Sequence, residues 1–210
     1  MAVSRLDGLR WLAALQEVFA ENRQQLTDLD LAIGDADHGI NMDRGFTAVQ
    51  AELSAHPPPD VGSVLKNVAA VLIRSVGGAA GPLYGTFFLR AGAACSGKSE
   101  LTASDVVALF QAGIEGVQQR GKAVPGDKTM VDALLPALNA MRRALEDGNG
   151  LAQILDHGTA AAEAGMLATI PMQARKGRAS YLGARSIGHQ DPGATSSYML
   201  LKAAAETWRP

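Results

Sequence analysis

Apolar residues recur at steps of three and four along most of this chain, and this spacing constrains the fold more than any other feature. Leu9, Leu12, Leu15 and Phe19 form one such series, and a second runs from residue 61 to residue 72. Residues at these steps share one face of an α-helix. The alternation typical of strands is nearly absent, and aromatic residues, which strands favour, make up only 5% of the chain. The sequence therefore predicts an all-α fold.

Capping residues and breaks mark where the helices begin and end. Asp60 precedes the second apolar series as an N-cap, and Thr102 with Asp105 resembles a capping box. Residues 56–59 and 147–150 are rich in proline or in glycine with asparagine and aspartate, and they interrupt the periodicity. We expect about eight helices, near residues 4–29, 40–54, 61–76, 80–95, 104–120, 128–146, 151–168 and 192–207.

The composition is that of an ordinary globular protein. With 210 residues, 47% of them hydrophobic, we expect a single helical domain over residues 1–210. The net charge of −2 gives no general attraction to nucleic acid or to an anionic membrane. The single cysteine, Cys95, cannot form an internal disulfide, which favours a cytoplasmic location and a core position for this residue. We see no signal peptide, and the longest apolar run is too short to span a bilayer.

An acidic cluster of Asp30, Asp35 and Asp37 occupies eight residues. On a continuous helix these side chains would face different ways, so their convergence requires a turn, for which Gly34 and Gly39 provide flexible backbone. Converged carboxylates repel one another unless a cation joins them. Oxygen ligands suit Mg²⁺ or Ca²⁺, and the spacing does not fit an EF-hand. The alternative is an ordinary loop in which Asp37 caps the next helix.

Two other stretches suggest phosphate binding. Residues 75–87, SVGGAAGPLYGTF, would bring a helix start with free N–H groups close to a ligand, or would allow close helix packing. Residues 171–191 have little periodicity and end at Asp191, an expected N-cap followed by Pro192 at the first helical position. The basic residues of this stretch are Arg175, Lys176, Arg178 and Arg185. A long basic loop beside an acidic metal cluster is what a nucleotide polyphosphate requires.

Residues 92–99, GAACSGKS, match the P-loop pattern without its context. A P-loop follows a strand and opens a helix at its lysine, whereas the next helix is expected only after Thr102. We therefore expect Lys98 and Ser99 not to bind phosphate.

Four motifs together resemble one protein family closely. They are GDADHGINMDRGF, SVGGAAGPLYGTFF, RGKAVPGDKTMVDAL and MQARKGRASYLGARSIGHQDPGATS. Over essentially the whole chain they resemble the L subunit of dihydroxyacetone kinases, the nucleotide-binding subunit. The last motif resembles the type that takes its phosphate from the phosphoenolpyruvate phosphotransferase system. The resemblance implies a barrel of about eight antiparallel helices with the nucleotide site at one end.

The resemblance also implies roles for individual residues. Asp30, Asp35 and Asp37 would hold two Mg²⁺ ions that bridge the phosphates. The residues implied to bind ADP or ATP are His38, Gly39, Ile40, Asn41, Ala79, Ala80, Gly121, Met130, Arg178, Asp191, Pro192 and Gly193. The family often has GGASGP where this chain has GGAAGP, so one hydroxyl contact is missing at Ala80. No residue is expected to act as a general base, which is consistent with an acceptor on another protein.

The implied activity is that of a phosphoenolpyruvate-dependent phosphotransferase subunit. ADP would stay bound as a coenzyme, receive phosphate from a phosphohistidine on the M subunit, and pass it to dihydroxyacetone held covalently on a histidine of the K subunit. A homodimer is left open, and neither nucleic acid nor a membrane is expected as a partner. Two alternatives remain: a kinase subunit that exchanges ATP, and a non-catalytic metal- or ligand-binding helical protein that regulates a partner.

Overall fold

A computed structural model of the chain describes residues 2–209, which form nine α-helices, one 3-10 helix and a two-stranded antiparallel sheet. The α-helices are α1 Arg5–Glu21, α2 Arg23–Ile33, α3 His38–Ala55, α4 Val61–Ser75, α5 Ala80–Ala94, α6 Ala103–Gly121, α7 Val131–Glu146, α8 Leu151–Ala168 and α9 Pro192–Thr207. The 3-10 helix is Arg178–Ser186, and the strands are β1 Val3–Ser4 and β2 Glu100–Leu101. The predicted all-α fold is confirmed.

The first expected helix, residues 4–29, is in fact two helices that meet at Asn22. Both the backbone N–H and the side-chain amide of Asn22 donate to the carbonyl of Val18, at 3.0 and 2.8 Å. An asparagine that bonds the local backbone in this way competes with helix continuation. After the break, α2 carries Asp30 and runs on to Ile33.

The local start and stop signals act as the sequence indicated. The Asp60 carboxylate accepts from the N–H of Ser63 at 2.9 Å and caps α4. Thr102 and Asp105 form the reciprocal capping box of α6. The breaks at residues 56–59 and 147–150 fall between helices.

Seven helices, from α3 to α9, pack each against the next, and α1 packs against both α9 and α3. Eight helices therefore contact one another in a closed cycle, while α2 lies beside α3 and α9 and also touches the 3-10 helix. That the cycle encloses a barrel of antiparallel helices stays a prediction.

Two tryptophans lie where α1 meets the C-terminal end of α9, and we call this pair, Trp11 and Trp208, the seam. The rings of Trp11 and Trp208 are 4.9 Å apart, centre to centre, and both are buried. The Trp11 indole N–H donates to the carbonyl of Leu200, and that of Trp208 donates to the carbonyl of Asp7, each at 3.1 Å. Each indole thus has the polar partner that a buried indole requires.

The region that matched the P-loop pattern has a different structure. Residues 86–90, a conceivable strand, lie inside α5, and the Lys98 ammonium pairs with the Asp105 carboxylate at the start of α6. Cys95 ends α5 in the core, and burial raises the pKa of its thiol to about 11. No helix within residues 2–209 has the length and apolar character needed to cross a membrane.

Candidate functional site

The acidic cluster lies at the turn between α2 and α3, where the three carboxylates converge. Within residues 34–37 the chain reverses through Ala36, whose φ of 61° is in the left-handed region that residues with a side chain rarely adopt. Oxygen atoms of Asp30, Asp35 and Asp37 all lie within 4.8 Å of one another. Backbone strain at functional sites persists when the surroundings impose it, and here it brings Asp35 and Asp37 beside Asp30.

Asp30 holds the turn together as well as contributing to the cluster. Its Oδ2 accepts the backbone N–H groups of Asp37 and His38, at 2.9 and 3.1 Å. Asp37 occupies the N-cap position of α3, but its side chain makes no capping hydrogen bond. The Asp37 carboxylate is therefore available to a ligand, and the ordinary-loop alternative loses its main support.

Of the two glycines expected in the turn, only Gly34 lies in it. A Cβ at Gly34 would lie 2.0 Å from Asp30 Oδ1, so a side chain there would displace the carboxylate. Gly39 instead lies in the first turn of α3, where a Cβ would be 2.0 Å from the carbonyl oxygen of Arg23. Its role is close packing of α3 on α2, which corrects the expectation of flexible backbone at that position.

A cavity of about 710 Å³ opens beside the cluster, and the N-termini of four helices lie at it. These are α3, α5, α7 and α9, which contribute His38, Ala80, Val131 and Pro192 to its lining. Pro192 has no N–H and that of His38 is bonded to Asp30, but helix N-termini otherwise present free N–H groups and the positive end of the helix dipole, so together they favour an anion.

Most of the residues predicted from the sequence line this one cavity. The twelve that do are Asp30, Asp35, Asp37, His38, Ala79, Ala80, Gly121, Met130, Arg178, Asp191, Pro192 and Gly193. The lining does not include Gly39, Ile40 or Asn41. Asn41 is buried, and its Oδ1 accepts from Arg44 and, at 3.4 Å, from the N–H of Gly77, which ties α3 to the turn before α5. The ligand contacts of all fifteen stay a prediction.

The cavity joins apolar and basic surfaces. Its apolar lining includes Leu83, Val117, Met130 and Val131, from α5, α6 and the start of α7. Its exposed cationic lining consists of Arg120, Arg175, Lys176 and Arg178. Apolar walls for a base and cations for phosphates are the two requirements of a nucleotide site.

Residues 172–190, which we call the lid segment, are more regular than the expected loop, because Arg178–Ser186 forms two short 3-10 turns on either side of a kink at Gly183. The hydroxyls of Ser180 and Ser186 each donate to a carbonyl three residues earlier, at 2.6 and 2.7 Å, and this supports the tight turns. At the start of the 3-10 helix the Arg178 guanidinium reaches across to Asp35, 3.0 Å away. The lid segment therefore contacts the acidic cluster directly.

Sequence reasoning missed a polar chain behind the cluster. His38 Nε2 lies 2.9 Å from the Ser196 hydroxyl, which lies 2.7 Å from the Tyr84 hydroxyl. Burial lowers the pKa of His38, against the carboxylates of Asp30 and Asp37, which raise it. Burial raises the pKa of Tyr84 to about 12. Tyr84 and Ser196 stand inside the glycine-rich and C-terminal motifs, but only the fold shows that they meet.

Two further buried charges lie under the cavity. Asp191 caps α9 by accepting from the N–H of Ala194 at 2.6 Å, and burial, reinforced by Asp132, raises the pKa of Asp191 to about 7. Lys128 is 1% exposed and has a φ of 62°, and burial lowers the pKa of its ammonium although Asp191 opposes that shift. The sequence signalled Asp191 as an N-cap but gave no sign that Lys128 would be buried.

The donor set fits Mg²⁺ and a polyphosphate. Three converged carboxylates, with nitrogen and sulfur ligands absent from the cluster, suit a hard divalent cation. The Asp37 carboxylate makes no capping bond and remains available, and Gly34, which has no side chain, leaves room for the Asp30 carboxylate in the cluster.

Comparison with known proteins supplies the deciding observation. The family model of the DAK2 domain matches residues 32–206. This chain belongs to the DAK2 domain family. It is 47% identical, over 98% of both chains, to the PEP-dependent dihydroxyacetone kinase, ADP-binding subunit DhaL, of Escherichia coli (strain K12). It is 41% identical to the PTS-dependent dihydroxyacetone kinase, ADP-binding subunit DhaL, of Lactococcus lactis, over 94% of this chain and 95% of that one. The resemblance seen in the four motifs is thus confirmed.

Other DAK2 relatives are longer. The human triokinase/FMN cyclase is 36% identical over 87% of this chain, which matches 32% of that protein. The dihydroxyacetone kinase of C. freundii in complex with AMP-PNP and Mg²⁺ is 25% identical, with a TM-score of 0.71 over 93% of this chain and 33% of that one. Its native form, 24% identical with a TM-score of 0.74, shows the shared fold. The names of these relatives are those of kinases, in agreement with the predicted phosphotransferase class.

Proposed function

We propose that this chain is the nucleotide-binding subunit of a dihydroxyacetone kinase, with ADP retained as a coenzyme together with two Mg²⁺ ions. The chain accepts a phosphoryl group from the phosphohistidine of an M subunit onto the ADP that it holds. It then passes that group to dihydroxyacetone on a K subunit, giving dihydroxyacetone phosphate. The E. coli and L. lactis relatives carry the name of the ADP-binding subunit of such a kinase, which supports the proposal.

The observation that carries the proposal is the junction of the acidic cluster with four helix N-termini at one cavity. Carboxylates alone would repel phosphates, and N-termini alone would not hold a cation. Together they match a phosphate chain with divalent cations bound to it. Asp30, Asp35 and Asp37 would hold Mg²⁺ there, and the ion would supply positive charge against the charge that develops on the phosphates during transfer.

The residues of the chain itself position the cations and phosphates and shield them from water. Asp30 fixes the turn by accepting two backbone N–H groups at Oδ2, which leaves its Oδ1, with Asp35 and Asp37, to hold cations. Arg178 stands over the cluster on the lid segment, where it can exchange its partner Asp35 for phosphate oxygens. The lid segment restricts water at that end of the cavity.

A reconstituted assay tests the transfer. With phosphoenolpyruvate, the general phosphotransferase proteins and the K and M subunits present, we expect dihydroxyacetone phosphate to form. Leaving out either this chain or the M subunit should stop its formation. Product formed at the same rate without the M subunit, from added ATP, would favour the ATP-exchanging alternative.

Mass spectrometry under non-denaturing conditions tests the coenzyme. We expect the chain to purify with ADP and Mg²⁺ bound, and to keep ADP during turnover in buffer without nucleotide. Nucleotide binding with no phosphoryl flux in the full assay would instead indicate a regulatory ligand-binding protein.

A further inference from the structure

Lys128 is a buried ammonium whose acceptors are all backbone carbonyls. Nζ lies 2.9 Å from the carbonyl oxygen of Thr169, 3.1 Å from that of Met172 and 2.7 Å from that of Ser186, and it also contacts that of His189. An ammonium has three N–H donors, and four carbonyls share them here. Charge-assisted bonds of this kind are stronger than neutral ones, particularly away from water.

These carbonyls belong to the two ends of the lid segment. Thr169 and Met172 come just before or at its start, whereas Ser186 and His189 lie at its close. Lys128 therefore holds the two ends of the lid segment together through its ammonium group. A backbone bond from Gly188 to Ile170, 2.8 Å long, crosses between the same ends.

The loop that carries Lys128 also contributes to the apolar wall of the cavity. The backbone N–H of Arg175, on the lid segment, donates to the carbonyl of Asp127 at 3.0 Å. The residue two places after Lys128 is Met130, which lines the apolar part of the cavity. Asp132 accepts the N–H groups of Gly126 and Thr129, at 2.6 and 2.8 Å, and so fixes the loop that presents the lysine. Lys128 thus connects the apolar wall to the lid segment.

We propose that Lys128 is a positioning residue for phosphoryl transfer, one that ties both ends of the lid segment to the apolar wall and thereby places Arg178 over the phosphates. This inference rests on the proposed function, because it assigns Lys128 a role in that same site. Lys128 acts through the lid segment, and its own ammonium is committed to carbonyls and not to the ligand.

The test compares Lys128→Met with a matched control, Lys122→Met. Methionine keeps an unbranched side chain of similar length and removes only the charge and the donors. Lys122 is exposed, stands in the same connection between α6 and α7, and also has a left-handed backbone, with a φ of 51°. The two variants therefore share the chemical change and the backbone setting, and differ in the carbonyl contacts.

Hydrogen exchange without ligand reports the lid segment directly. We expect Lys128→Met to speed exchange at the amides of Ala174 and Gly188, which are bonded to Ser186 Oγ and the Ile170 carbonyl, while exchange in α4 and α5 stays unchanged. Lys122→Met should match the unsubstituted chain. Equal exchange at Ala174 and Gly188 in all three proteins would overturn the proposal.

Release of ADP in the presence of Mg²⁺ separates positioning from general stability. Lys128→Met and Arg178→Ala should each speed release by about tenfold or more, as expected for lost charge-assisted bonds. Because Lys128 acts through Arg178, the double variant should release ADP about as fast as the faster single variant. Multiplied effects in the double variant would show that the two residues act independently and would overturn the proposal.

Two further results distinguish a failure of the Lys128 role from a failure of the proposed function. If the unsubstituted chain does not bind ADP with Mg²⁺, the proposed function is wrong. If the unsubstituted chain binds ADP normally and Lys128→Met changes neither hydrogen exchange nor ADP release, only the positioning role is wrong. If Lys128→Met does not fold, Ser186→Ala loosens one of the four acceptors and leaves the lysine in place. Because Ser186 Oγ itself accepts the N–H of Ala174, exchange is then read at Gly188, which bonds to the Ile170 carbonyl. We expect faster exchange at Gly188 and faster ADP release, and no change in either would reject the anchoring of the lid segment.

Discussion

At the scale of single residues, the three aspartates of the cluster have different duties. Asp30 is buried and committed to two backbone N–H groups, so its loss affects the turn itself. Asp35 and Asp37 are more accessible, and neither accepts a backbone N–H within the turn. They are therefore the residues whose substitution tests cation binding with the least damage to the fold.

We predict that Asp35→Asn or Asp37→Asn abolishes retention of ADP with Mg²⁺ while helix content stays the same. Each change removes one formal charge and one strong oxygen ligand from a site that holds cations. Bound nucleotide is measured after purification, and helix content by circular dichroism. Asp43→Asn is the matched control, because Asp43 lies on α3 and pairs with Arg23 outside the cavity lining. Normal occupancy in either site variant would show that the metal assignment is wrong.

Asp191 makes the stability of the chain depend on pH. The sign of this dependence is opposite to that of a typical aspartate in an ion pair. Its pKa is about 7 in the folded chain, against an ordinary value of 3.8 for an aspartate open to water, so the folded state binds the proton more tightly. Its contribution to stability is therefore present at acidic pH and is lost as the pH rises from about 4 to about 7.

We predict that Asp191→Asn removes this loss, because asparagine can still accept from Ala194 and carries no charge. Without metal or nucleotide, the variant should gain stability over the unsubstituted chain as the pH rises from 5 to 8, by on the order of a few kcal/mol. Urea denaturation at several pH values measures the difference. A constant difference across that range would contradict the assignment.

We predict that Lys98→Ala leaves nucleotide retention unchanged. Lys98 pairs with Asp105 at the start of α6 and lies outside the cavity lining, so the GKS sequence has no phosphate to bind. ADP occupancy after purification measures the effect. A large loss would mean that the P-loop interpretation was rejected wrongly.

At the scale of elements, the lid segment is the part whose behaviour follows least from local rules. We predict that Mg²⁺ and ADP slow hydrogen exchange across residues 172–190, because the basic side chains there gain phosphate partners. Arg178→Ala should reduce that protection and slow phosphoryl transfer. It should barely change the thermal stability of the nucleotide-free chain, since an exposed ion pair with Asp35 contributes at most about 1 kcal/mol.

The control for this prediction is Arg185→Ala, on the same 3-10 helix but outside the cavity lining. Exchange that is identical with and without ligand would reject the lid role. If Arg178→Ala and Arg185→Ala show the same exchange and the same transfer rate, Arg178 is only a surface charge.

Elements defined by local signals were predictable from the sequence. The caps at Asp60, Thr102 and Asp191 depend on atoms within three residues, so their positions were correct. The break at Asn22 was missed because Phe19 and Leu26, seven residues apart, keep a helical spacing across it, and only its bonds to Val18 show the competition.

The site was predictable as a set of motifs but not as a set of contacts. The acidic cluster was visible because its residues are close in sequence, whereas Lys128 meets carbonyls more than forty residues away. The strained backbone at Ala36 carries no signal in composition, because alanine is unremarkable at any loop position.

At the scale of the whole molecule, the seam closes the cycle of helices. We predict that Trp208→Ala lowers the free energy of unfolding by about 3–5 kcal/mol, because it leaves a cavity against Trp11 and removes the bond to the Asp7 carbonyl. Urea denaturation measures the loss. Trp208→Phe keeps an aromatic ring and should cost less. A loss within about 0.5 kcal/mol for Trp208→Ala, typical of a surface change, would contradict the role of the seam.

The position of the seam also determines which structural change the tryptophan fluorescence of this chain detects. The sequence contains two tryptophans, and both are at the seam, outside the lining of the cavity. Intrinsic fluorescence excited at the indole band therefore follows the closure of α1 onto α9. Emission should shift to longer wavelength when the cycle opens in urea, and should stay constant when ADP and Mg²⁺ enter the cavity. The chain thus carries a built-in spectroscopic probe of global unfolding that is separate from ligand binding.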